Sequence, residues 1–166
     1  MLGFVTQDEV KTRLNYDPET GVFTWRVNSS RAKAGAVAGT VNSRGYAIIC
    51  IRKRGYMAHR LAWFYVHGYW PPEETDHING DRADNRLSNL RLATKRQNMH
   101  NRKRQVYASS PYKGVSIHHA GWSAEICTPT GREWLGLFRT PEEAAERYQS
   151  RAREVQKEFY TERGNE

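Results

Sequence analysis

A chain of 166 residues can hold one ordinary domain or two small ones with thin cores, and its 26 Lys and Arg against 18 Asp and Glu leave a formal charge of +8. That excess favours a polyanionic partner. The first residues carry neither a charged leader nor a long apolar core, and no apolar run reaches spanning length, so secreted and membrane-spanning classes are set aside in favour of the cytoplasm.

From the N-terminus, Thr6 is placed to cap a short helix running through Leu14, and residues 16–21 (Tyr-Asp-Pro-Glu-Thr-Gly) are turn chemistry. Residues 22–27 alternate as a strand, and residues 35–46 are glycine-rich. Residues 46–58 read as a hairpin with Arg52, Lys53 and Arg54 at its tip, suited to a DNA groove or standing as a plain surface hairpin. Residues 59–67 read as a helix ending before Gly68. Within residues 44–60, Arg44, Arg52, Lys53, Arg54 and Arg60 meet no acid. His59 reads as a residue that caps or packs the helix, with contact to the site as the alternative, and His67 and His100 read as surface residues. Cys50 and Cys127 lie far apart in strand-like runs with no CxxC pair for zinc, so both are expected as small buried hydrophobes in a reduced compartment.

Residues 74–78 read as a short strand, and Asn79-Gly80 tolerates the positive φ of a tight turn. Residues 90–93 alternate as a returning strand, and Thr94-x-x-Gln97 is a capping box that opens a helix carrying Asn98. A strand, loop, strand and helix in that order can bring Asp76 and Asn98 over one ion. A hard divalent cation prefers oxygen ligands and is usually held by one or two protein groups plus substrate phosphate. Asp76 and Asn98 supply that minimum, and His77, with an ordinary pKa near ~6.5, is suited to take a proton from water. Adjacent strand residues point to opposite faces, so Asp76 and His77 act on one phosphate only at a bent strand end or at its edge. A calcium loop is excluded, because Ile78 stands where an acid or amide is required. Asn85 is either a second loop brace or a surface turn residue. Around this segment, residues 82–104 hold eight basic side chains (Arg82, Arg86, Arg91, Lys95, Arg96, Arg102, Lys103 and Arg104) and one acid, Asp84.

Residues 59–101, from His59-Arg60-Leu61-Ala62 through Asp76-His77-Ile78-Asn79-Gly80 and Asn89-Leu90-Arg91 to Gln97-Asn98, resemble the HNH endonucleases of the phage and intron homing type. The resemblance implies a ββα-metal fold acting on double-stranded DNA inside a bacterial or phage-infected cell. It makes Asp76 the first metal ligand, His77 the general base, Asn89 the asparagine that braces the loop, and Asn98 the final ligand. Many relatives carry His at the last position. Asn98 points instead to an oxygen-only site for Mg²⁺, with Mn²⁺ as the alternative. One His77 and one metal site per chain, with no heptad pattern, imply a monomer that nicks and leaves 5′-phosphate and 3′-hydroxyl ends.

Residues 102–111 are basic, then small and polar, and read as a linker able to follow a phosphate backbone. Three strand-like runs follow, starting at Tyr112, Gly121 and Arg132, and then a capping box at Thr140 with Pro141 at the first helical position. Residues 112–157 resemble the APETALA or ethylene-response-factor type of DNA-binding domain through Tyr-Lys-Gly-Val, Trp-x-Ala-Glu-Ile, Trp-Leu-Gly-x-Phe and Thr-x-Glu-Glu-Ala-Ala. That family lays its sheet in the major groove, which would turn Lys113, Trp122, Glu125, Arg132 and Trp134 to DNA. For the two tryptophans, core packing is the alternative. Ser116 and Cys127 fall where plant members often place arginine.

The fold expected is α+β: an N-terminal β-rich module (1–70), a ββα-metal nuclease core (71–104), a basic linker (105–111), and a three-stranded antiparallel sheet with one helix (112–160). The function expected is metal-dependent, site-selective DNA cleavage by His77, Asp76, Asn89 and Asn98. Its DNA contacts are Arg52, Lys53, Arg54, Arg91, Lys95, Arg96, Arg102, Lys113, Trp122, Glu125, Arg132 and Trp134, and no membrane or small-molecule substrate is expected. The rival is a non-catalytic DNA-binding regulator. An RNA-binding protein is the weaker third, since the aromatics do not form the stacking motif of an RNA recognition domain.

Overall fold

A computed structural model describes residues 4–28, 32–100 and 110–160. They fall into two compact units, Met1–Lys95 and Arg96–Glu166. The expected contacts Arg102 and the Arg96 side chain lie outside the described residues, as does most of the expected linker.

In the first unit, Thr6 caps α1 (Gln7–Arg13) by accepting from the Glu9 amide at 3.2 Å. β1 (Leu14–Tyr16) starts where α1 stops, so the expected helix ends one residue early and a strand not foreseen follows it. It pairs antiparallel with β2 (Phe23–Trp25), shorter than the expected strand over 22–27. Gly21 closes the turn between them at φ 73°, and a Cβ there would lie 2.4 Å from the Arg86 amide nitrogen. The β1–β2 turn is thereby seated against the backbone of Asn85 and Arg86.

A three-stranded sheet in the order β3-β4-β5 comes next: β3 (Thr40–Val41), β4 (Ala47–Ile51) and β5 (Arg54–Met57). β3 lies within the glycine-rich stretch that gave no strand signal. Arg52 and Lys53 form the β4–β5 turn with φ of 51° and 63°, a conformation that non-glycine residues adopt at some cost. Cys50 is exposed, correcting the expectation of burial. It alternates between Ile49 and Ile51, both buried, and therefore takes the outer face of β4.

α2 (Ala58–His67) ends at Gly68, whose φ of 80° lets its amide reach the Phe64 carbonyl at 3.0 Å. Ala58, His59, Leu61, Ala62 and Phe64 form its buried side. Full burial of a side chain such as Leu61 contributes roughly 1.5–3 kcal/mol. β6 (Glu74–His77) and β7 (Leu90–Ala93) then pair antiparallel, and α3 (Lys95–His100) follows after Thr94. One apolar cluster runs from Val5, Val10 and Leu14 through Leu61 to Leu90. It draws on both stretches, 1–70 and 71–104, that the sequence suggested as separate modules.

The second unit is an antiparallel sheet in the order β10-β9-β8, made of β8 (Val115–His118), β9 (Gly121–Thr128) and β10 (Gly131–Phe138). α4 (Pro141–Gln156) covers one face, opened by Thr140, which accepts from the Glu143 amide at 3.2 Å. Ala144 and Ala145 pack with Val115 and Ala124, and Tyr148 and Ala152 with Ile126. Gly114 sits at φ 71° against the Tyr148 ring, where a Cβ would come within 2.2 Å of it. Arg151 ties the helix to β10 through Glu133 at 2.9 Å. Cys127 is exposed, the second correction, on the sheet face that α4 leaves open.

Candidate active site

The β6–β7 pairing sets Asp76 opposite Arg91 and His77 opposite Leu90. Adjacent strand residues diverge, so the acid and the imidazole meet different neighbours although both are buried. Asp76 Oδ2 accepts from Arg91 Nε at 3.1 Å and from Nη2 at 2.9 Å. Both side chains are well covered, at 14% and 11% exposure. Arg91, expected on DNA, therefore lies against the carboxylate expected to hold the metal.

His77 is buried among Asn85, His59 and Tyr46. Its Nε2 lies 3.4 Å from Asn85 Oδ1, and its ring meets His59 edge-on with centroids 4.9 Å apart and Tyr46 at 6.1 Å. Burial pushes its pKa below the ordinary 6.5, opposed by the Asn85 contact and by Asp76, Asp81 and Asp84. The imidazole is thus neutral near pH 7, the state a general base requires.

The loop between the strands is held mainly by side-chain amides. Asn89 Oδ1 accepts from the Asn79 amide at 2.9 Å, while its Nδ2 donates to Asn79 Oδ1 at 3.0 Å and to the Asp84 carbonyl at 2.8 Å. One carboxamide thus spans the loop. The Ile78 amide donates to the Asn89 carbonyl at 2.9 Å, closing the ladder beyond His77. Asp84 takes Asn79 Nδ2 at 2.6 Å, and hydrogen bonds from Arg86 hold its carboxyl down to about 2. Asn85 is 4% exposed, which decides against a surface turn residue.

His59 was read as a packing or capping residue, and its position in the α2 core agrees with packing. Its ring also meets His77, the alternative that the sequence left open. Its Nδ1 is buried without a hydrogen-bond partner, and burial, then His77 and then Arg60, push its pKa down to about 3. Tyr46 and Arg82 were missed. The Arg82 guanidinium lies over the Tyr46 ring at 5.0 Å and donates to the Arg44 carbonyl at 2.8 Å, clipping the β3–β4 turn to the loop. The signals available were only the two basic clusters, one holding Arg44 and the other Arg82.

Asn98 is half-buried in α3, within the second compact unit. Among the described residues no three His, Cys, Asp or Glu side chains converge as a metal cluster. Within the first unit, the Asp76 carboxylate is the kind of oxygen donor that a hard cation prefers.

The remaining expected contacts divide by exposure. Arg52 pairs with Glu9, and Arg54 lies over the Phe4 ring at 4.2 Å, so two of the three tip cations are engaged within their own unit. Lys53 and Lys95 are exposed. In the second unit Lys113 is half-buried, its amine pushed down by burial. Trp122 packs against the Val115 and Ala124 cluster, whereas Trp134 is 53% exposed. The pairing explains the difference: Trp122 faces Phe138, Trp134 faces Glu125, and the two positions have opposite parity. Arg132 reaches Glu125 at 3.5 Å with 73% of its side chain exposed.

Residues 56–100 match the family model of HNH endonucleases. A solved structure described as DNA binding and cleavage by the HNH homing endonuclease I-HmuI is similar at 23% identity and a TM-score of 0.40, covering 54% of this chain and 51% of that one. This chain thus spans about half the length of that protein. No curated protein matches.

Proposed function

We propose that this chain, a nuclease by the HNH endonuclease domain in residues 56–100, is a metal-dependent, site-selective DNA endonuclease of the homing or phage-encoded kind. It nicks duplex DNA as a monomer and leaves 5′-phosphate and 3′-hydroxyl ends. The observation that carries the reading is the buried His77 imidazole, held below the ordinary imidazole pKa by burial and adjacent in β6 to the Asp76 carboxylate.

In this reading His77 takes the proton of the water that attacks phosphorus. Asp76 and Asn98 hold the divalent ion, Mg²⁺ first and Mn²⁺ as the alternative. When bound, the ion offsets charge on the scissile phosphate and on the departing 3′ oxygen. Asn89 braces the loop that follows His77, whereas Asp76 takes the ion only by sharing or giving up its pair with Arg91. Lys53, Lys95, Arg96 and Arg102 serve the backbone, and Arg91 joins them only by leaving Asp76. Arg52 and Arg54 join them only by leaving Glu9 and Phe4.

The second unit, APETALA-like in this reading, lays the open face of its sheet against DNA through Glu125, Arg132 and Trp134 and so places the cut. Trp122, expected on DNA, lies instead on the opposite face, packed under α4, and Lys113 is half-buried.

Supercoiled plasmid incubated with the protein and Mg²⁺ should pass first to open circles that ligase can reseal, and a chelator should stop the reaction. Binding without cleavage under every divalent ion would establish the regulator instead. Linear product with no open-circle intermediate would overturn nicking by a monomer.

A further inference from the structure

The carboxamide of Asn85 can be oriented without ambiguity. Its Nδ2 donates to the Ala83 carbonyl at 2.9 Å. A flipped amide would set Oδ1 against that carbonyl, acceptor against acceptor, so Oδ1 must be the atom that faces His77 Nε2 at 3.4 Å. An amide oxygen only accepts. A neutral imidazole has one N–H and one lone pair, and a lone pair on Nε2 would face the Oδ1 lone pairs in a buried place. The favourable neutral state therefore carries its hydrogen on Nε2 and its lone pair on Nδ1.

The Ala83 carbonyl holds the Asn85 carboxamide, and three further contacts fix the main chain that carries it. The Tyr16 hydroxyl donates to the Asn85 carbonyl at 2.8 Å, the β1–β2 turn packs at Gly21 against the Asn85–Arg86 backbone, and Asn89 holds the neighbouring Asp84 carbonyl at 2.8 Å. We propose that Asn85 is a positioning residue that fixes the tautomer of His77, making Nδ1 the nitrogen that takes the proton from the attacking water. The inference rests on His77 being the general base, yet its first test requires no cleavage. Loss of tautomer control over an imidazole base costs about 10⁴-fold in the best-characterised hydrolase, so the expected effect is large enough to read.

The test is nitrogen NMR of the full-length protein labelled with ¹⁵N, at a pH where histidine is neutral, with His77 assigned by its absence from the His77→Gln spectrum. Wild type should show a protonated, pyrrole-type Nε2 and a pyridine-type Nδ1. Asn85→Leu, which keeps the shape without the acceptor, should shift His77 toward the other tautomer and lower kcat by about 10-fold or more with KM within about 3-fold. Asn85→Asp, which restores an acceptor, should recover the Nε2–H signature and much of kcat. A protonated Nδ1 in wild type overturns the proposal even if Asn85→Leu fails to fold, and so does an unchanged tautomer in folded Asn85→Leu. A wild-type protein that shows the Nε2–H signature but cleaves no DNA would count against the nuclease reading and leave the tautomer assignment standing.

Discussion

The loop of residues 78–89 and the open face of the C-terminal sheet are both rich in polar groups, yet they are built in opposite ways. In the loop, Asn79, Asp84, Asn85 and Asn89 bond to one another and to backbone, and Asn85 and Asn89 are buried. On the sheet, Arg132 and Trp134 stand mostly in water with a 3.5 Å pair to Glu125 as the nearest ionic tie. Preorganised, desolvated groups suit chemistry, because their orientation is fixed before reaction. Hydrated groups that can turn suit docking, where the partner supplies the order.

Replacing a loop amide should therefore cost far more than replacing a sheet side chain. Asn89→Ala removes three hydrogen bonds and strands the Asn79 amide and the Asp84 carbonyl, so it should lower unfolding free energy by about 3 kcal/mol in urea titration. A loss below about 1 kcal/mol would mean that the loop is not the rigid element described.

His59 sharpens the same contrast through pH. Its pKa is near 3 in the fold against an ordinary 6.5, so below 6.5 the unfolded chain binds a proton that the native state refuses. Stability is then fully present above 6.5 and falls with pH by about 1.4 kcal/mol per unit. His59→Phe should shrink the stability difference between about pH 7 and about pH 5 by about 2 kcal/mol. An unchanged pH dependence would place the His59 ring in solvent.

Within the sheet the two tryptophans should separate. Trp122→Ala should cost up to about 2 kcal/mol because it opens the cluster under α4, while Trp134→Ala should stay within about 0.5 kcal/mol and weaken DNA binding instead. Equal stability losses would contradict the parity assigned to them. The smallest effect expected is electrostatic: Arg132→Gln should reduce the slope of log binding constant against log salt by about 0.9, the value of one phosphate contact.

Local signals carried most of the elements. Thr6 and Thr140 marked their helices because a hydroxyl cap needs only the next three residues, and Asn79-Gly80 marked the turn after β6 for a similar reason. The grouping of Asp76, His77 and Asn89 was legible because it lies within one hairpin. Tyr46 was not, and His59 only as an alternative, since each meets His77 across a separate element and nothing in their neighbouring residues encodes that contact. The basic tip misled in a related way. Arg52 and Arg54 look available in sequence, but Glu9 and Phe4 reach them from the N-terminal segment. The cysteines failed on alternation: an apolar run does not say which of its residues takes the outer face.

In the proposed function His77 performs the proton transfer, and DNA affinity lies elsewhere. Single-turnover cleavage with saturating protein and Mg²⁺ tests it most directly, comparing wild type with His77→Ala. The expected result is a rate lower by about 10² or more with a dissociation constant for DNA changed by less than about 3-fold. Cleavage by His77→Ala at the wild-type rate would contradict it.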